Sequence, residues 1–148
     1  LSSLLVERCE QLVLVDLSLR SVLCSQEKAR SRGDSGARGG VGGLVADAGT
    51  LELAADCASA VVAANLVDLL EEPSEFLRSA SRWLRSDGEL ILSTPEPSFG
   101  GDDDQTLRNV LEALEYSVEE LRDGVPWLRT HSARYSQIYW LQVVRASI

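Results

Sequence analysis

Three short apolar runs in this chain each lead into a residue better suited to binding than to packing. Gln11 to Asp16 ends in Asp16, Leu44 to Asp47 ends in Asp47, and Ala60 to Ala64 is followed by Asn65, with Asp68 shortly after. Continuous apolar runs of this length read as strands buried on both faces. In open α/β sheets, ligands bind outside the carboxyl ends of the strands. A carboxylate there can accept hydrogen bonds from both hydroxyls of a ribose, and an amide can donate and accept at once. For any one of these residues, a plain solvent-facing strand end is the stronger reading. Three at adjacent ends of one parallel sheet point instead to a ligand groove.

The element that must hold Asn65 is fully spelled out. Pro73 suits a first helical position, where its missing N–H is not needed. Phe76, Leu77, Ala80, Trp83 and Leu84 then form one apolar stripe against Glu75, Arg78, Arg82 and Arg85. Asp87-Gly88 reads as a turn, and Glu89 to Thr94 as a second strand ended by Pro95. A strand, crossover helix and strand in this order is a βαβ unit with parallel strands.

Around it, Leu1 to Glu10 reads as the end of a helix and Ser18 to Arg30 as a helix. Ser31 to Gly43, rich in Gly, Ser and Arg, reads as a loop, and Thr50 to Ala58 as a helical turn. The aspartates of Ser98 to Asp104 are placed to cap a helix over Gln105 to Tyr116. Tyr116 to Leu121 and Tyr135 to Ala146 read as strands able to pair antiparallel across a connection of about a dozen residues. The expected order is α–β–α–β–β–α–β–α–β–β, a mostly parallel sheet ending in an antiparallel hairpin.

At 148 residues the chain is one domain, 1–148, of ordinary globular composition, 45% hydrophobic and 25% charged. A net charge of −9 argues against nucleic acid as a partner, since phosphate binding needs a basic face. No apolar run reaches the length of a membrane span, and no signal peptide opens the chain, so it is not expected to be secreted. Cys9, Cys24 and Cys57 fall in apolar-patterned segments and read as small buried thiols of a reducing compartment, cytoplasm or organelle interior. With no CxxC and no His/Cys pair, no metal site is expected. The chain opens on Leu1 and not Met, which suggests an N-terminally incomplete domain.

Taken together, these motifs resemble the class I S-adenosylmethionine-dependent methyltransferases, an α/β, Rossmann-like fold. QLVLVDLSLRSVL is similar to their second strand and following helix, LVADA to the third strand, VVAANLVDLL to the fourth, and LRSDGELILSTP to the fifth. The resemblance implies S-adenosylmethionine as cofactor, with Asp16 on the ribose, Asp47 and Ala48 on the adenine, and Asn65 also on the cofactor. A narrower likeness is to the mercaptohistidine N-methyltransferase domain of ovothiol synthases. It rests on AANLVDLLEEPSEFL and VPWLRTHSARYSQIY, and it implies a substrate side made of Asp68, Trp127, His131 and Tyr135. Trp127 as a core aromatic and His131 as a surface residue is the plainer alternative.

The chain departs from that family in one respect. No first strand with its Gly-rich turn precedes Leu1, and the glycines at 33–43 lie elsewhere in the order. Two readings follow. One is methyl transfer from S-adenosylmethionine to a small nucleophile such as an imidazole nitrogen, a reaction for which the sequence marks no catalytic base. The other is a non-catalytic methyltransferase-like domain serving as a scaffold or complex subunit, with partner protein chains in place of a small-molecule substrate. A nucleotide-binding oxidoreductase is weaker, because no GxGxxG follows a strand.

Overall fold

The computed structural model describes residues 1–33, 40–95 and 106–148. The chain divides into two compact units, Leu1–Leu51 and Glu52–Ile148. In the first, a short helix α1 (Ser2–Leu5) leads to β1 (Gln11–Asp16), α2 (Leu19–Gly33) and β2 (Gly40–Val45). β1 and β2 pair in parallel, from Gln11 opposite Gly40 to Asp16 opposite Val45. Val22 and Ala29 of α2 are buried, whereas Val13, Leu44 and Val45 stay exposed. Within this unit the strands are therefore covered on one face, not on two as their apolar runs suggest.

The strand expected at Leu44–Asp47 starts earlier, at Gly40, and ends at Val45. Glycine is disfavoured in strands, which is why Gly40 to Gly43 reads as loop. The structure supplies the compensating reason at Gly43. A Cβ there would lie 2.5 Å from Val22 Cγ1 and 2.7 Å from Gln26 Nε2, so α2 lies too close for any side chain. The remainder of the expected loop, residues 34–39, lies outside the described residues.

The second unit holds β3 (Ala58–Ala64), α3 (Pro73–Trp83), β4 (Leu84–Thr94), α4 (Leu107–Ala113), β5 (Ser117–Ser132) and β6 (Tyr135–Ser147). A 3₁₀ turn, Val67–Leu69, follows β3. The element order is the one the sequence predicts, an α/β arrangement of strands and helices. The four strands lie in the order β3-β4-β6-β5, with β3 and β4 parallel and β6 antiparallel to both β4 and β5. The core occupies one face of this sheet. Leu92 opposite Val144 and Leu90 opposite Ala146 are buried there. Buried Phe76, Leu77, Ala80 and Trp83 of α3 and Leu107 and Leu111 of α4 complete it. Each such large aliphatic side chain contributes about 1.5–3 kcal/mol. On the other face Ile91, Ser93 and Val143 are only half-buried.

Several boundaries differ from the sequence reading, each for a local reason. Thr50 to Ala58 forms no helix; Asp56 there adopts a positive φ of 53° and donates its N–H to Arg82 O. Asp87-Gly88 is no free turn but lies inside β4, absorbed by the register shift between Ala58 and Ala60. The helix expected over Gln105 to Tyr116 is shorter, with Thr106 as its N-cap accepting from the Asn109 N–H at 3.3 Å. The aspartates expected to cap it lie outside the described residues. The connection expected between the last strands shrinks to Ala133 and Arg134, because β5 runs on through Ser132 beside β6. Cys24 and Cys57 are exposed rather than buried, and Cys9 is half-buried. Among the described residues, no helix is long and apolar enough to cross a membrane.

Candidate active site

Asp16 and Asp47 come together at one end of the first unit's sheet. β1 and β2 run parallel with Asp16 opposite Val45, so Asp47 sits just past the same end. Each carboxylate is steadied by a local turn. Asp16 Oδ1 accepts from the Ser18 N–H at 2.7 Å, and Asp47 Oδ1 from the Gly49 N–H at 2.9 Å. Both side chains are exposed, and each keeps its second oxygen without a partner among the described residues. The N–H of the half-buried Ala48 is likewise unengaged among the described residues.

Asn65 belongs to the second unit, just past the end of β3. Its φ of 51° is left-handed, a region that Asn enters more readily than most residues because its short side chain can bond locally. That bond goes to Ser93, whose Oγ donates to Asn65 Oδ1 at 3.0 Å. The side-chain amide is thereby fixed, and its two N–H donors have no partner among the described residues. Ser93 was not singled out from the sequence. A hydroxyl closing the otherwise apolar run Leu90-Ile91-Leu92 is the signal that marks it. Asp68 lies exposed on the 3₁₀ turn, next to the fully buried Val67 that anchors it.

Trp127, His131 and Tyr135 all fall on the β5–β6 ribbon. Trp127 packs against its cross-strand neighbour Tyr139 with the rings tilted by 36° and centroids 5.3 Å apart, and His131 stacks on Tyr135 at 5.1 Å. Gln137 joins the two pairs, since its Oε1 lies 2.7 Å from His131 Nε2 and accepts from the Tyr139 hydroxyl at 3.1 Å. The register shows where the ribbon points. Gln142 lies opposite Thr94, so the rest of β6 runs past the carboxyl ends of β3 and β4, the end where Asn65 sits. At roughly 3.3 Å per residue, the Trp127–Tyr139 pair stands about 10 Å beyond that end, and Tyr135 about 23 Å. Of the three ribbon residues Trp127 is thus the nearest to Asn65 along the sheet, while Asp68 follows Asn65 directly on the 3₁₀ turn.

A family model described as "Methyltransferase domain" matches residues 1–92, more than half of the chain. The chain belongs to that family. Solved structures agree on the methyltransferase fold. The [4+2]-cyclase SpnF superposes with a TM-score of 0.70 at 18% identity, over 98% of this chain and 70% of that one. An S-adenosylmethionine-dependent methyltransferase from Methanosarcina mazei gives 0.66 at 14%, over 99% and 86%. Magnesium protoporphyrin IX methyltransferase from Synechocystis PCC 6803, solved with S-adenosylmethionine bound, gives 0.68 at 19%, over 99% and 63%. No curated protein matches the chain in sequence.

Membership of the methyltransferase family makes S-adenosylmethionine, bound in the Synechocystis neighbour, the group against which these residues are compared. The described residues fit its adenosine half. Two exposed carboxylates with free oxygens and an unengaged N–H at one sheet end suit hydroxyl and amine donors and a ring acceptor. The described glycines Gly40, Gly42 and Gly43 lie within the strand β2 and not in a turn between strand and helix.

Proposed function

We propose that this methyltransferase domain moves a methyl group from S-adenosylmethionine to a small nucleophile, with an imidazole nitrogen as the acceptor its residues suit best. The fixed Asn65 amide at the sheet end carries this reading, because clamping by Ser93 leaves two oriented donors without a partner among the described residues. S-adenosylmethionine supplies an electrophilic methyl, so the chain's own work is binding, alignment and exclusion of water. Within the first unit Asp16, Asp47 and Ala48 suit the adenosine; within the second, the Asn65 amide suits an acceptor oxygen. The Asp68 carboxylate accepts the ring N–H of a neutral imidazole and leaves the other nitrogen's lone pair to attack. The ring proton then passes to water. Trp127 offers an aromatic face for the substrate. The narrower likeness to mercaptohistidine N-methyltransferases supports the choice of acceptor.

Titration of the chain with S-adenosylmethionine by calorimetry tests the cofactor half. Asp16→Ala is expected to weaken binding by about 1–3 kcal/mol, as loss of a charged acceptor does. Mass spectrometry of imidazole-bearing acceptors tests the rest. Asp68→Asn should slow methylation and leave cofactor affinity unchanged. Cofactor binding without methylation of any imidazole would sink the acceptor assignment alone.

One observation favours the scaffold reading. Among the described residues β1 pairs only with β2, and β3 only with β4, so each keeps a row of main-chain N–H and C=O groups on one edge. Such rows are templates for another strand. In this second reading the domain serves as a subunit whose sheet is completed by a further segment. Hydrogen exchange separates the two: strong protection along both edges of β1 and β3 in the isolated chain counts against it.

A further inference from the structure

We infer that the outer half of the β5–β6 ribbon docks on an anionic lipid surface. The ribbon's two faces differ. One carries the Trp127–Tyr139 and His131–Tyr135 pairs. On the other, Pro126 lies opposite Trp140 and Leu128 opposite Ile138, four apolar side chains in one contiguous block. Leu128, Ile138 and Trp140 are 60%, 62% and 64% exposed. This is the face that carries buried Val144 and Ala146 further along β6, continued past the end of β4.

Charge selects the occupant. All 23 acidic residues of the chain precede residue 124, and the stretch after it holds Arg129, Arg134 and Arg145 with no carboxylate side chain. Arg145 is paired with Glu89 and Glu119, but Arg129 and Arg134 have no ion pair among the described residues. Along the ribbon the nearest carboxylate is Asp123, which accepts from Gln142. Arg129 stands opposite Gln137, about 16 Å further out at roughly 3.3 Å per residue. That is about two Debye lengths at physiological salt, so the acidic remainder of the sheet does little to repel an anionic surface met by the tip.

Size argues in the same direction. A patch of four side chains is on the order of a few hundred Å², short of the roughly 800 Å² per partner of a stable protein interface. Shallow insertion of the ribbon tip needs no such area: Arg134 sits in the turn and Arg129 on the reverse face of the two-stranded ribbon, and Trp and Arg both favour the headgroup level. This surface is distinct from the residues assigned to methyl transfer and does not depend on that reading.

Co-sedimentation of the full chain with vesicles is the test. Binding is expected to phosphatidylcholine vesicles containing phosphatidylserine, weaker binding to phosphatidylcholine alone, and weakening with added salt. Arg134→Gln should lower the partition constant about fivefold, and the Ile138→Ser, Trp140→Ser double variant further still, with S-adenosylmethionine affinity unchanged. On the unaltered chain, brominated phosphatidylserine should quench tryptophan fluorescence. Absence of quenching, or full binding by the double variant, overturns the proposal. So does a concentration-dependent dimer that the double variant abolishes, which would make a second copy the occupant.

Discussion

Ser93 and Asn65 are joined at three points: Ser93 Oγ donates to Asn65 Oδ1 at 3.0 Å, and the Asn65 main-chain N–H reaches Ser93 O at 2.7 Å and Oγ at 3.2 Å. The end of β3 is thereby tied to the end of β4, at a residue whose backbone sits in the left-handed region. Replacing Asn65 separates the two contributions. Asn65→Gly keeps the backbone unstrained and loses the side-chain bond, for a net change near zero. Asn65→Ala loses the bond and adds left-handed strain of about 1–2 kcal/mol. Chemical denaturation should rank wild type and Gly together and Ala below them. Equal stability of Ala and Gly would show that the strain is absent.

Gly43 and Gly40 make a matched pair. A Cβ at Gly43 would collide with buried Val22, whereas one at Gly40 meets nothing within 4 Å. Gly43→Ala should therefore cost about 1–3 kcal/mol by overpacking, and Gly40→Ala should stay within about 0.5 kcal/mol. Thermal unfolding of both variants reads this directly.

Tyr116 is buried and donates its hydroxyl to Leu77 O at 2.8 Å, tying α3 to the segment that enters β5. Burial pushes the phenol well above its ordinary range, opposed by a hydrogen bond with Ser81. Because the folded value is raised, the stabilisation is complete below about pH 10, the unfolded phenol's range, and is lost as pH rises beyond it. Tyr116→Phe should cost about 1 kcal/mol at neutral pH and flatten the alkaline fall in stability. An unchanged alkaline slope would remove Tyr116 as its source.

Trp83 closes the buried stripe of α3 and meets Phe76 edge-on with ring centroids 6.1 Å apart. Trp83→Ala should lower stability by about 3–5 kcal/mol. A variant that melts like the wild type would mean the ring contributes little to the core.

The order of elements was legible because its signals are local. Pro73 opens α3, the Phe76–Trp83 stripe turns inward, and short apolar runs mark each strand. What stayed hidden depends on neighbours distant in sequence. Gly40 to Gly43 form a strand because β1 lies beside them, with α2 too close to Gly43 for a side chain, and β5 extends to Ser132 because β6 lies beside it. Asp16, Asp47 and Asn65 were visible as polar residues ending apolar runs. Ser93 and Gln137 were not, because their roles lie in hydrogen bonds across strands. The ribbon faces escaped for a similar reason: only the register pairs Leu128 with Ile138.

The strand order β3-β4-β6-β5 also fixes a sequence of events in time. β5 and β6 are adjacent in the chain and can zip from the Ala133–Arg134 turn within microseconds. Seating them on β4 must wait, because Leu90 finds its partner only at Ala146. During synthesis the inner edge of β4 therefore stays bare until nearly all of β6 has left the ribosome. Over that interval Leu90 and Leu92 are a target for chaperones and for misdirected strands alike.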